Sequence, residues 1–82
     1  MEYTINFTQV SDFSANEDFV NDIESKVSAF FKYVIGPEDK LGQDYIVDLY
    51  TEQEGSKVWL HIDFFNTMYN ESMYHLTWCI AC

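Results

Sequence analysis

The segment that most constrains the fold is a run of apolar residues at helical spacing in the first half of the chain. These side chains recur three or four positions apart; they are Phe19, Val20, Ile23, Val27, Phe30, Phe31 and Val34. Such spacing places them on one side of an amphipathic helix, which must bury that side against another element. A capping-box pattern from Ser14 to Glu17 precedes the run, and a Gly-Pro pair follows it. We therefore predict one long helix from about Ala15 to Ile35.

Four other segments alternate apolar and polar residues, the pattern of strands with one buried face. They cover residues 2–8, 44–50, 57–65 and 72–80, with a turn predicted at 53–56. The order β-α-β-β-β predicts a single α+β domain over residues 1–82. In this fold the long amphipathic helix packs on one face of a largely antiparallel four-stranded sheet. The pattern leaves open where the first strand lies, and residues 67–75 could instead form a short helical turn.

The charge of the chain is strongly unbalanced. It has 14 Asp and Glu against four Lys and no Arg, which gives a formal net charge of −10. Nucleic acids and anionic membranes are bound through clustered Lys and Arg, so we expect neither as a direct partner. A basic protein surface is the partner that this charge favours. The N-terminus lacks a signal-peptide pattern and no stretch is apolar enough to span a membrane, so we expect a cytoplasmic protein.

Seven of the acidic residues form two predicted groups. Four lie near the start of the helix and span about 10 Å of its axis; they are Glu17, Asp18, Asp22 and Glu24. Three share one face of the second strand over about 27 Å; they are Asp44, Asp48 and Glu52. Phosphates along a nucleic-acid strand lie about 3.4 Å apart, so both groups have a comparable length scale. We expect these carboxylates to bind a basic site, and an ordinary solvated surface is the alternative.

The sheet face that the helix leaves uncovered, here called the open face, has an unusual predicted composition. Its predicted members are Ile46, Asp48, Tyr50, Trp59, His61, Asp63, Phe65, Met73 and His75. Aromatic side chains at the centre with carboxylates around them are typical of the anchors and rim of a protein interface. We expect Tyr50, Trp59 and Phe65 to hold a partner there. Closure of a homodimer and plain exposure are the alternatives.

The sequence offers little for catalysis or metal binding. His61, Asp63 and His75 fall on one predicted sheet face, but no nucleophile, glycine-rich loop or enclosed cleft accompanies them. Cys79 and Cys82 have C-x-x-C spacing and, with one of the histidines, could complete a zinc site. Structural zinc sites, however, usually carry two paired ligand clusters. We therefore predict a non-enzymatic protein with no cofactor and no metal.

In its size, acidity, lack of arginine and aromatic content, the chain resembles the phage-encoded inhibitors of bacterial defence, notably anti-CRISPR proteins. The resemblance is one of overall character and carries no motif. It implies stoichiometric binding to a basic nucleic-acid-handling site of a nuclease or surveillance complex, by mimicry of DNA or by steric block. Acidic immunity proteins, which neutralise bacterial toxin nucleases, are similar in size and charge and give the alternative expectation.

Overall fold

The computed structural model describes residues 2–13, 15–39 and 42–81. Strand β1 (Tyr3–Asn6) leads through a short 3-10 turn (Thr8–Val10) to helix α1 (Glu17–Phe30). A single π-helical turn (Phe31–Ile35) and a short helix α2 (Gly36–Glu38) continue α1 directly. Three long strands follow, namely β2 (Tyr45–Glu54), β3 (Lys57–Asn66) and β4 (Glu71–Ala81). Across the described ranges, no helix is long and apolar enough to cross a membrane.

The four strands form one mixed sheet in the order β1-β2-β3-β4. β1 is parallel to β2, while β2 with β3 and β3 with β4 are antiparallel. Parallel neighbours need a long crossover, and the helix between β1 and β2 provides it. This arrangement confirms the predicted α+β fold. It also assigns the first strand to the sheet edge beside β2, a position that the sequence left open.

The two ends of the helix differ from the prediction. Asn16 is the N-cap, because its side-chain oxygen accepts hydrogen bonds from the backbone N–H groups of Asp18 (3.0 Å) and Phe19 (3.3 Å). The predicted capping box was wrong in its cap position, and Ser14 itself lies outside the described residues. The prediction of an end at Ile35 was also wrong, since helical structure continues to Glu38.

The π-helical turn explains how the helix continues through a proline. Its wider spacing lets the backbone N–H of Gly36 bond the carbonyl of Phe31, five residues earlier. Pro37 then falls at the start of α2, where its fixed φ suits a helix, although it has no N–H to donate to a carbonyl of the preceding turn. The backbone N–H of Asp39 closes this segment by bonding the carbonyl of Ile35 at 2.7 Å.

The hydrophobic core lies between the helix and one face of the sheet. The helix buries one stripe of side chains, and β2 and β3 bury alternate residues as predicted. Its fully or nearly fully buried members are Val10, Ile23, Val27, Phe31, Ile35, Tyr45, Val47, Leu49, Leu60, Ile62 and Phe64. Tyr74, Leu76, Trp78 and Ile80 of β4 pack against this core from its margin. The opposite face of the sheet is left uncovered by the helix.

Two turns fix the alignment of the long strands. Gly55 and Ser56 join β2 to β3, and Gly55 has a φ of +62°, a conformation that favours glycine. Residues 67–70 join β3 to β4, which confirms a turn and strand rather than a helix over 67–75. The fully buried side chain of Asn66 holds this turn by accepting from the N–H groups of Met68 (2.9 Å) and Tyr69 (3.1 Å).

Candidate functional site

The open face is formed by alternate residues of β2, β3 and β4. Its described members are Ile46, Asp48, Tyr50, Glu52, Trp59, His61, Asp63, Phe65, Ser72, His75, Thr77 and Cys79. Each of them is partly or fully exposed rather than buried. The prediction of this face is therefore confirmed except for Met73. The pairing of β3 with β4 shifts between Phe64 and Phe65, and Met73 instead lines a cavity described below.

Two carboxylates face each other near the middle of the open face. Asp48 of β2 and Asp63 of β3 are register partners, so their side chains project from the same side of the sheet. The side-chain amide of Asn6 donates to Asp48 at 3.1 Å, and the hydroxyl of Ser72 donates to Asp63. Neutral donors thus support this pair of like charges. Phe65 and Ile46 are register partners beyond one end of it, and Tyr50 and Trp59 lie towards the other.

The order of aromatic and acidic residues along the open face differs from the prediction. The prediction had aromatic anchors at the centre and carboxylates around them. In the structure the acidic pair lies between the aromatic groups, because Phe65 and Trp59 are separated by about 20 Å along β3. A partner that spans this surface would meet apolar contacts at both ends and negative charge between them.

A row of polar side chains runs across the open face next to the acidic pair. Nδ1 of His61 lies 2.9 Å from Nε2 of His75, and Nδ1 of His75 lies 3.4 Å from Oδ1 of Asp63. The ring of Tyr50 stacks on that of His61, with centroids 4.6 Å apart and planes 2° apart. The sequence-based expectation that His61, Asp63 and His75 share one face is thus confirmed. His75 lies within hydrogen-bond distance of both His61 and Asp63.

The row ends at an unsatisfied nitrogen. Nε2 of His61 is shielded from solvent and lies 3.7 Å from Oε1 of Glu52, too far for a hydrogen bond. When both rings are neutral, they share two N–H groups. If these point from His61 to His75 and from His75 to Asp63, the lone pair of Nε2 faces the Glu52 carboxylate. A positive group brought near His61 would be attracted by this lone pair and by Glu52.

The arrangement is not that of a nucleophile with its base. The hydroxyl of Ser72 donates to Asp63 and makes no hydrogen bond to a ring nitrogen of His61 or His75. Within the described ranges, no three His, Cys, Asp or Glu side chains are grouped so that they could hold a metal ion. Cys79 is half-buried and its thiol lies 3.3 Å from the carbonyl of Ala81. Cys82 lies outside the described residues, so the C-x-x-C spacing is a feature of the sequence alone.

The two predicted acidic groups lie in different layers of the molecule. The side chains of Glu17, Asp18, Asp22 and Glu24 are exposed on the helix, which covers the other face of the sheet. Glu17 and Asp18 lie in the first turn, where negative charge stabilises the helix dipole. Asp48 and Glu52 lie on the open face, and the exposed Asp44 precedes β2 and accepts a hydrogen bond from the N–H of Glu2. The structure therefore places Asp48, Glu52 and Asp63 on one face, with Asp48 and Asp63 directly opposite each other, and leaves the helix acids on another.

A second candidate site, which the sequence did not reveal, lies on the helix side of the sheet. A cavity of about 360 Å³ opens between the end of α2 and the turn at 67–70. We call it the tyrosine cavity, because Tyr45, Tyr69 and Tyr74 line it; Glu38, Asp39, Gln43 and Met73 complete its described wall. These residues come from four separate parts of the chain. The only signal in the sequence was the closeness of Glu38 and Asp39 to the end of the helix.

Burial, hydrogen bonds and nearby charge raise the pKa values of two tyrosines in the wall of the tyrosine cavity. The hydroxyl of Tyr74 donates to Oε2 of Glu38 at 2.7 Å, and this carboxylate raises the pKa of Tyr74 to about 12. Burial is the largest cause that raises the pKa of Tyr45; a hydrogen bond with the Asn66 side chain opposes it, and the negative charge of Asp39 adds a smaller increase. Both phenols therefore stay neutral donors at physiological pH.

No protein-family model, curated protein or solved structure is similar to this chain at a meaningful level. The fold and site define an α+β domain with one helical layer and an uncovered acidic and aromatic sheet face. Any function has to be argued from the chemistry of these surfaces.

Proposed function

We propose that this protein is a non-enzymatic, stoichiometric inhibitor whose open face binds a basic nucleic-acid-handling site of a bacterial defence nuclease or surveillance complex. The observation that carries the proposal is the pairing of Asp48 with Asp63 at the middle of the open face. Like charges directly opposite each other on neighbouring strands are destabilising. A positive group from a partner would remove that cost, so the pair favours a bound state over a free one.

An arginine side chain of the partner fits the acidic pair best. A guanidinium has several N–H groups in one plane and can bond two carboxylates or both oxygens of one. Nuclease surfaces that hold a phosphate backbone present such side chains. Asp48 and Asp63 would then occupy the positions of phosphates, with Glu52 as a third negative group. Mimicry of nucleic acid and simple steric block both follow from this contact.

The aromatic side chains of the open face would supply most of the affinity. Tyr50, Trp59 and Phe65 are partly exposed, and Trp and Tyr are the residues that most often dominate interface energies. The net charge of −10 would speed the encounter with a basic surface and would do so less at high salt. The helix acids add to this field without touching the partner. This encounter would take place in the bacterial cytoplasm.

The proposal is tested by finding the partner and measuring inhibition. Tagged protein is used to capture partners from a bacterial lysate that contains CRISPR and toxin systems, and each captured nuclease is then purified. We expect one-to-one inhibition of nucleic-acid cleavage by a CRISPR effector, relieved by excess substrate nucleic acid. Inhibition of a toxin nuclease with no effect on defence complexes would instead establish an immunity protein. A homodimer that buries Trp59 and binds neither class of nuclease would contradict both.

A further inference from the structure

The tyrosine cavity has the composition of a site for an organic cation. Three phenol rings and the thioether of Met73 form its wall, and its described residues carry two carboxylates and no positive charge. Its volume of about 360 Å³ is in the usual range for small-molecule sites. The faces of aromatic rings attract cations, and such rings bind ammonium groups that carry alkyl substituents. The cavity therefore combines negative potential with an apolar, polarisable surface.

The position of the cavity adds to its negative potential. It lies at the C-terminal end of the continuous helical segment, where the helix dipole is negative and carboxylates are unfavourable. Glu38 nevertheless lies at this end, and Tyr74 donates a hydrogen bond to one of its oxygens. That bond orients the carboxylate beside the ring of Tyr74. A bound cation would interact favourably with the carboxylate, the ring and the dipole together.

We propose that the tyrosine cavity binds an alkylammonium cation, either a free quaternary amine or the ammonium group of a lysine side chain. Tyr69 and Met73 would cover the cation at the mouth of the cavity, where they are 54% and 41% exposed. Tyr45, which is buried, and Tyr74 form the inner wall. Glu38 supplies the opposite charge. This site is on the helix side of the sheet and does not depend on the function proposed for the open face.

A metal ion fits the cavity less well than an organic cation. Hard cations such as Ca²⁺ and Mg²⁺ take six or more oxygen ligands, whereas this wall is largely aromatic. No group of three potential metal ligands occurs among the described residues. An anion would be repelled by Glu38 and by the end of the helix. The chemistry of the wall thus points to a cation with alkyl groups.

The first test is a titration of the full chain with choline chloride, followed in ¹H–¹⁵N correlation spectra with sodium chloride as the blank. We expect saturable shifts at Tyr69 and Met73 with a dissociation constant in roughly the millimolar range. The probe 3,3-dimethylbutan-1-ol has the shape of choline but no charge. It should bind at least about fivefold more weakly, because it lacks the attraction of a cation to the rings. Equal binding of the two probes, or no saturable binding of choline, would overturn the proposal.

Variants locate the site and separate it from the open face. Tyr69→Ala and Glu38→Gln should each weaken choline binding by roughly 3- to 10-fold. Tyr33→Ala removes a ring that is 69% exposed but lies outside the cavity, and it should leave binding unchanged. Equal losses in Tyr33→Ala and Tyr69→Ala would contradict the assignment. The D48N/D63N variant should also retain choline binding, so failure of one proposal is distinguishable from failure of the other.

Two further probes identify the source of the cation. Nα-acetyl-lysine methylamide and its Nε-trimethylated form are titrated in the same way. Binding of both would support a lysine side chain as the ligand, and binding of the trimethylated form alone would support a quaternary ammonium group. If choline binds but neither lysine probe does, a free quaternary amine is the ligand. Shifts confined to the open face with every probe would overturn the proposal.

Discussion

Asp48 and Asp63 are directly opposite each other on neighbouring antiparallel strands, and neutral side chains donate to both. We predict that Asp48→Asn raises the free energy of unfolding of the isolated protein by about 0.2–1 kcal/mol, because it removes the repulsion and keeps an oxygen for Asn6. Urea unfolding at neutral pH measures this change. Added salt should reduce it, since salt screens partly exposed charges. An equal gain from Asp22→Asn on the helix would show that only net charge matters.

The correction of the helix cap gives a second prediction. Asn16→Ala should lower the free energy of unfolding by about 1 kcal/mol, because two N–H groups of the first turn lose their acceptor. Asn16→Ser is the matched control, since serine also caps helices and should restore most of the stability. Thermal unfolding followed by circular dichroism is the measurement. If both variants lose the same stability, Asn16 does not act as the cap.

The hydrogen bond between His61 and His75 gives a third prediction. In a double-mutant cycle with His61→Ala and His75→Ala, we expect a coupling free energy of about 0.5–1.5 kcal/mol, the usual net value of one such bond. His75→Ala alone leaves Nδ1 of His61 without its partner. It should therefore lower the free energy of unfolding more than an exposed substitution such as Met68→Ala. Additive effects of the two histidine substitutions would show that the rings do not interact.

The raised pKa of Tyr74 predicts a loss of stability at high pH. Below pH 10.0, the ordinary value for tyrosine, the phenol is protonated in both the folded and the unfolded chain, so its hydrogen bond to Glu38 stabilises the fold fully and adds no pH dependence. Between pH 10.0 and about 12 the unfolded chain releases this proton while the folded chain retains it, so the free energy of unfolding falls as pH rises. Tyr74→Phe should make this fall shallower. An unchanged slope would mean that Glu38 does not hold the hydroxyl proton.

Most elements of the fold could be predicted from the sequence, but the position of β1 in the sheet and the end of the helix could not. Alternation along β2 and β3 correctly predicted that Leu49, Leu60 and Phe64 are core residues, because periodicity reports which face is buried. It could not assign β1, whose four residues carry no signal for a parallel or antiparallel neighbour. The helix end was missed because a π-helical turn changes which carbonyl Gly36 bonds, and no residue pattern marks such a turn.

The same limit applies to the candidate sites. The alternation of residues along each strand correctly predicted which side chains lie on the open face. Met73 is the exception, because a register shift between β3 and β4 displaces it from that face. The order of these side chains across the face did not follow, because the predicted turn at 53–56 did not specify the two-residue connection at Gly55 and Ser56 that places Asp48 opposite Asp63. The tyrosine cavity was invisible for the same reason, since Glu38 and Tyr74 are 36 positions apart and meet only through the packing of helix on sheet.

The most direct test of the proposed function compares two variants with the same loss of charge. D48N/D63N removes two negative charges from the open face, and D22N/E24Q removes two from the helix. With a purified nuclease partner at fixed salt, the dissociation constant of each variant is measured against that of the unaltered protein. We predict at least a tenfold weakening for D48N/D63N, the effect of about 1.4 kcal/mol, and less than threefold for D22N/E24Q. Equal effects of the two variants, or a larger one for D22N/E24Q, would contradict binding through the open face.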